Sequence, residues 1–430
     1  MLPSALLCEQ GVCLFGIFIT CLTLASLPLS LSLESPDPSS SSESLSWLTS
    51  NLEQGDKLHV VITVTTRDRR KVNYSINTKR RIKMFHRFLS QDANSMFILL
   101  QNDSSTVLQL EVKHNILLLT KNFTCKYYAK TGRAIFQSTQ YLTKIIPINC
   151  YFTGHVTGEP SSLVSLNLCK GVKGVINIKD EAFRLEPVFR GTQIFHQLKR
   201  LKKSNRPFKC GTKINSSHYY KHHHTGRRLV RELKLPARSN ISTKYIEIYV
   251  VIDHSLYLRT GSLSATIKRA VDIVNYASAL LQQLNVVLAL VGVEVWTDKD
   301  KIPYTPDEND RSAYKASPLL NEFQYYRQYK INHYTQNDNG QLLTGALLAD
   351  GQIGLAPTTG VCSETASCGL IYDDNPENYH RAGTVMAHEV GHSLGLGHSD
   401  AYDNCPCSYS DDPSYTACIM YSYASCKKVF

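Results

Sequence analysis

Residues 388–398 read His388-Glu389-Val390-Gly391-His392-Ser393-Leu394-Gly395-Leu396-Gly397-His398. On a helix, residues four apart share a face, so His388 and His392 can present two imidazoles to one ion. Glu389 projects beside them, within reach of a metal-held water without being a ligand. The preceding run RAGTVMA (381–387) is a good entry into such a helix. Gly395 can adopt φ > 0 and end the helix sharply, which returns the chain so that His398 supplies a third nitrogen. Three protein ligands with one open position is the arrangement of catalytic zinc, whereas structural zinc is closed by four. Zinc lowers the pKa of a water in that position to about 7. Glu389 can then act as general base and later pass the proton to the leaving amine. A polar surface helix can carry HExxH by chance, but a third histidine at fixed spacing with glycine at the turn argues against it. Downstream, Cys418-Ile419-Met420 places Met420 for the tight methionine turn expected beneath such a site.

Upstream of the motif the pattern is α/β. YIEIYVVID (245–253) and VVLALVGVEVWT (286–297) read as buried strands, with LSATIKRAVDIVNYASALLQQL (263–284) at helical spacing between them. LLNEFQYYRQYKINH (319–333) predicts a helix; QLLTGALL, IGLAP and LIYDD predict short strands. Between Lys57 and about Arg190 the pattern is β-rich instead. KLHVVITV, FILLQ, TVLQLEV and NILLL alternate or run apolar for strand-like lengths.

A charged connector (199–243) separates the two regions. It holds Pro207-Phe208-Lys209-Cys210-Gly211 and, further on, Arg228-Leu-Val-Arg231. A thiolate is a soft, strong zinc ligand, so Cys210 in the fourth position would leave no room for an activated water. Arg228 and Arg231 meet the minimal Arg-x-x-Arg pattern of secretory-pathway convertases, and cleavage there would release the thiol. The competing readings are a structural cysteine and a basic linker. A switch needs an odd thiol, and the basic half holds four; Cys150–Cys169 is expected to pair, which leaves Cys125 over.

The net charge of +11 over 430 residues is unevenly spread. From Lys244 onward there are 13 Lys+Arg against 21 Asp+Glu, a balance of −8; before it, 34 against 15 give +19. The acidic C-terminal half opposes a nucleic-acid reading. The asymmetry suits either two regions that attract each other or two differently charged solvated surfaces. Val12–Leu33 is apolar and precedes any Lys or Arg. It resembles a secretory signal peptide, with an uncleaved membrane anchor as the alternative. Residues 34–56 form a polar, Pro/Ser-rich lead-in. Six cysteines after Lys244 suit three disulfides in an oxidising compartment. Sequons at Asn73, Asn102, Asn122, Asn215 and Asn240 agree with secretion.

The zinc motif and methionine turn mark the metzincins, and further segments resemble the adamalysin/reprolysin family, which includes ADAM proteases and snake-venom metalloproteinases. NCYFTGHVTGEPSSLVSLNLCKGVKG (149–174) resembles the ADAM pro-domain. KYIEIYVVIDHSLY (244–257), NGQLLTGALL (339–348), IGLAPTTGVC (353–362), Cys405-x-Cys407 and CIM resemble the catalytic domain. The resemblance implies a β-rich pro-domain (57–198) that acts as an intramolecular inhibitor. It implies a metzincin α/β catalytic domain (244–430), with a twisted mixed sheet, long helices and a small lower lobe. It also implies a calcium site at Glu247 and Asp338; in relatives Cys362 pairs with a later cysteine not found before Phe430, which leaves Cys368 as its expected partner, with Cys405–Cys426 and Cys407–Cys418 as the other pairs. Two departures stand out. Ser399 precedes Asp400 where the family has Asp directly after the third histidine; SLGLGHS alone looks like a matrixin, which the cysteines oppose. The sequence ends at Phe430, where relatives continue to a further cysteine and a calcium-ligand Asn. The expected protein is a secreted, zinc-dependent endopeptidase made as a zymogen and acting on peptide or protein substrates. The alternative is a catalytically inactive or binding-only relative.

Overall fold

The computed structural model describes residues 57–66, 71–73, 95–102, 105–138, 148–179, 181–191, 193–201, 207–212, 242–375, 378–401 and 419–425. The expected signal peptide, the lead-in, Arg228, Arg231, Cys405, Cys407, Cys418 and Cys426 lie outside them.

The N-terminal region supplies twelve strands among the described residues: β1 (Lys57–Thr66), β2 (Lys71–Asn73), β3 (Ser95–Asn102), β4 (Ser105–His114), β5 (Leu119–Tyr128), β6 (Ala134–Ser138), β7 (Tyr151–Val156), β8 (Glu159–Asn167), β9 (Lys173–Ile178), β10 (Glu181–Arg190), β11 (Gln193–Arg200) and β12 (Pro207–Cys210). The period-two signal accounts for them. In β3, Met96, Ile98 and Leu100 are buried while Phe97 and Leu99 are half-exposed. NILLL is an exception: residues 116–118 form a turn, and β5 starts only at Leu119. Asn115 opens that turn by donating its backbone N–H to Tyr151 O. β1 pairs with β3 through Val61–Thr66 and with β11 through Lys57–Val60. The antiparallel strands β1, β3, β4 and β7–β11 therefore close into a barrel, with β2 on the far end of β1. Closure removes the open edges that such a sheet would otherwise expose.

The C-terminal region contains β13 (Lys244–Ile252), α1 (His254–Thr260), α2 (Leu263–Leu281), β14 (Val286–Val295), α3 (Ala316–Tyr329), β15 (Asn339–Thr344), β16 (Gln352–Leu355), β17 (Cys368–Tyr372), α4 (Tyr379–Ser393) and β18 (Tyr423–Ser425). Its sheet runs β18-β12-β16-β17-β15-β13-β14-β5-β6. β13, β14, β15 and β17 are parallel and buried on both faces; β13 and β14 are near-continuous apolar runs, while β15 (NGQLLT) buries Asn339, Gln341 and Thr344 as well. Two places in this sheet are taken by the N-terminal region. β5 runs parallel to β14 with β6 beyond it, and β12 lies between β16 and β18.

α2 is covered on both sides, by its own sheet and by the barrel, and one apolar core continues through all three. Three amide side chains of the barrel side reach α2. Asn115 donates to Asn275 Oδ1 (2.9 Å), Asn167 to Asp272 Oδ1 (2.8 Å) and Asn177 to the Tyr276 hydroxyl (2.7 Å). The charge asymmetry appears here as specific contacts, two of which are Lys173–Asp272 (3.0 Å) and Lys126–Glu294 (3.2 Å). Among the described residues, no helix is long and apolar enough to cross a membrane.

Candidate metal centre

α4 carries the first half of the motif, its face buried from Tyr379 to Ser393. Gly395 (φ 93°) ends it as expected: its N–H donates to His392 O, and Leu396 N–H donates to Gly391 O. Gly391 answers a second requirement. A Cβ there would sit 2.5 Å from Met420 Sδ, so glycine lets the methionine turn pack directly under the helix. The structure thus brings together His388, His392, His398, Glu389, Cys210, Gly395 and Met420, which lie up to 210 positions apart in the chain.

The ligand atoms of Cys210, His388, His392 and His398 all lie within 4.8 Å of one another, and all four residues are buried. Nδ1 of His388 is 2.6 Å from Ile419 O, and Nδ1 of His392 is 2.8 Å from Leu396 O. A carbonyl oxygen only accepts, so both Nδ1 atoms donate. Burial holds His388 down to about 3 and His392 to about 4, so both rings are neutral near pH 7. Their Nε2 atoms therefore carry lone pairs. Yet His392 Nε2 lies 3.0 Å from His388 Nε2 and 3.1 Å from His398 Nε2. Lone pairs gain nothing from facing each other; a shared cation resolves the conflict. Two nitrogens on one tetrahedral zinc would stand roughly 3.3 Å apart, close to what is found.

Cys210 Sγ lies 3.5 Å from His392 Nε2 and 3.6 Å from Glu389 Oε1. Burial, then the Glu389 carboxyl, pushes the thiol up, and burial pushes Glu389 well above the usual carboxylate range. A divalent cation reverses the first shift, because a coordinating thiol gives up its proton. Glu389 Oε2 is buried without a hydrogen-bond partner among the described residues. The donor set thus fits zinc: three neutral imidazoles, a thiol, and a carboxyl with an unused acceptor.

β12 delivers Cys210. Cys210 N–H donates to Ser422 O (3.0 Å) and Gly211 N–H to Gly354 O (2.9 Å), so the segment is held as a strand on both sides. Thr212, missed by sequence reasoning, fixes its exit: the N–H points at Cys210 Sγ (3.4 Å) and the hydroxyl donates to Ala356 O (2.9 Å). The displaced aspartate also finds a partner. Asp400 accepts from the backbone N–H and hydroxyl of Ser422, while Ser399 N–H donates to Met420 O. Asp400 thereby ties the turn after His398 to the methionine turn.

Other expectations fare differently. Cys150 and Cys169 are disulfide-bonded. Cys362 and Cys368 are not bonded to each other, contrary to the expected pair. Cys362 takes a left-handed backbone (φ 67°) and points its sulfur at Asp338 Oδ1 (3.7 Å), whereas Cys368 is fully buried in the core under α3. Glu247 and Asp338 do meet: Glu247 N–H donates to Asp338 Oδ2 (2.8 Å). Burial and then Asp338 raise the Glu247 carboxyl. Among the described residues, however, only the histidine–cysteine group gathers three or more candidate ligands.

Residues 244–430 match the family model described as "Reprolysin (M12B) family zinc metalloprotease". Over 324 residues the chain is 30% identical to "Disintegrin and metalloproteinase domain-containing protein 12" of Mus musculus. That match takes in 73% of this chain but 34% of the relative, so the chain spans about a third of the relative's length. A solved chain described as "Structure of a chaperone-substrate complex" overlaps 36% of this chain and 25% of its own length, at 21% identity and a TM-score of 0.29. Together with the metzincin arrangement of mixed sheet, long helices and converging histidines, these matches place residues 244–430 in the reprolysin family of zinc metalloproteases.

Proposed function

We propose that this chain is the precursor of a secreted, zinc-dependent endopeptidase, kept latent by its own N-terminal region. One observation carries the reading: the Nε2 atoms of three histidines converge beneath the Cys210 thiol, with the Glu389 carboxyl beside it. His388, His392 and His398 would hold zinc, with Cys210 as a further ligand in the precursor. When bound, zinc supplies a Lewis acid that polarises a scissile carbonyl and acidifies water. Once the thiol withdraws, Glu389 faces the vacated space as general base, then returns the proton to the leaving amine. β12 lies as a strand between β16 and β18. After its departure an extended peptide can add to the same edges, which suits an endopeptidase. Cleavage after Arg231 is the proposed trigger. The apolar leader, the sequons (Asn122 is exposed on β5) and the Cys150–Cys169 bond support the secretory route. Calcium at Glu247 and Asp338 belongs to the same reading. Titration with calcium should raise the melting temperature and lose that effect in Glu247→Gln.

The test is hydrolysis of a generic fluorogenic peptide by the full chain, before and after cutting the connector, with Glu389→Ala as control. Activity that emerges on cutting, needs zinc and vanishes in the variant supports the proposal. Cys210→Ala should give activity without cutting. A folded, zinc-loaded, cut protein that leaves the peptide intact would point to a binding-only relative.

A further inference from the structure

At the opposite end of the sheet from β18, Glu294 of β14 is fully buried. Its Oε1 accepts from the hydroxyls of Tyr128 (2.6 Å) and Tyr326 (2.5 Å) and from Trp296 Nε1 (3.1 Å). Its Oε2 accepts from the Tyr334 hydroxyl (2.6 Å). The charge on the carboxylate is met by Lys126 Nζ, 3.2 Å away. That ammonium also sits 4.5 Å from the centre of the Tyr334 ring and 5.9 Å from that of Tyr326. A buried carboxylate walled by aromatic rings is a pocket for a cation, and here the cation comes from the other region of the chain. Lys126 lies on β5, in parallel register opposite Glu294, and Tyr128 extends the pairing through Thr297. Donors from β14 and the segments after it (Trp296, Tyr326, Tyr334) remain whether or not β5 is present.

We propose that the β14 edge with its Glu294 pocket is a second docking site, separate from the metal cleft, that takes a lysine-bearing β-strand; its occupant is β5 of the chain's own N-terminal region, and Lys126 is the key. Backbone pairing along the edge gives the strand its hold, and the pocket gives it selectivity and register. Besides the packing of the barrel on α2, the N-terminal region is thus fastened to the sheet at two separate places by contacts of different chemistry: Cys210 in the cleft and Lys126 at the edge. The proposal does not depend on zinc or on peptidase activity.

The experiment uses the full chain with a site-specific protease sequence placed within residues 213–241. After cutting, the rate at which a fluorescently labelled N-terminal fragment leaves on dilution is measured. Wild type, Cys210→Ala, Lys126→Met, Lys126→Arg and the double variant Cys210→Ala/Lys126→Met are compared. Lys126→Met should speed departure at least about tenfold in both cysteine backgrounds, with Lys126→Arg staying near wild type. Departure of Lys126→Met at the wild-type rate would overturn the proposal. So would an effect that disappears in the Cys210→Ala background, since the contacts would then be one site. Hydrogen exchange on uncut Lys126→Met checks the fold. Loosening confined to β5, β6 and β14 supports docking, whereas loosening of the barrel strands as well would make the pair a folding element and refute it.

Discussion

At one end of the mixed sheet the N-terminal region inserts four residues of β12, and at the other it lays down the ten-residue strand β5. The short insertion ends in a thiol over three imidazoles, a contact whose strength depends on a cation. The long one ends in an ammonium on a buried carboxylate, complete within the chain itself. In the proposed function the first contact lies on the reacting atoms and has to be undone for the site to work. The second lies on an edge the chemistry never uses. On that proposal latency and attachment are separable, and substitutions at each end should expose them one at a time.

The largest effect belongs to the cleft. Glu389→Gln removes the proton acceptor while leaving the imidazoles in place. The cut protein should lose about 10²–10⁴-fold in kcat/KM, with zinc content and melting temperature unchanged. Equal activity in the variant would remove Glu389 from the chemistry. Next comes the edge. Lys126→Met leaves Glu294 buried with neutral donors only. Breaking such a pair costs about 3 kcal/mol, which urea unfolding of the uncut chain can measure. Peptidase activity of the cut protein should not follow that loss; if it did, the two ends would not be separate.

Acid compares the two regions more broadly. Burial holds His196 in the barrel down to about 4, and burial followed by the nearby Arg184 holds His380 on α4 down to about 3. Unfolded histidine titrates near 6.5, so folding favours the neutral rings. Their contribution is complete above about pH 6.5 and is lost as pH falls, towards about 4 for the barrel histidine and about 3 for the α4 histidine. Each should cost about 1.4 kcal/mol per pH unit within its window. Urea midpoints at pH 7 and 4.5 test this, and His196→Gln should flatten the slope. The smallest effect is Gly391→Ala. Its methyl would meet Met420 Sδ at 2.5 Å, an overpacking cost of about 1–3 kcal/mol. It should also weaken zinc retention against a chelator, whereas Lys126→Met should not.

Much of the cleft was legible in the sequence because its geometry is local. Helical periodicity puts His388 and His392 on one face, and Gly395 permits the turn that brings His398 back. Cys210 could be singled out from the needs of zinc chemistry, but its route into the site could not. That route depends on β12 pairing with residues 143–144 and more than 200 positions further along the chain. Cys362–Cys368 illustrates the limit. The two lie six positions apart, yet backbone conformation turns one sulfur towards Asp338 and packs the other in the core.

The sequence by itself determined the parts that repeat with the period of a helix or a strand: the zinc helix, the parallel core strands and the β-rich character of the N-terminal region. Tertiary structure alone decided which sheet each N-terminal strand joins. Nothing in NILLLTKNFTCKYY says that β4 and β7 close the barrel past β5 while β5 crosses to β14. A strand's own pattern records which of its faces is buried, and pairing partners are chosen by what the rest of the chain leaves open. Glu294 shows the consequence. In sequence it is one carboxylate in an apolar run; in the fold it is the charge that Lys126 crosses from one region to another to meet.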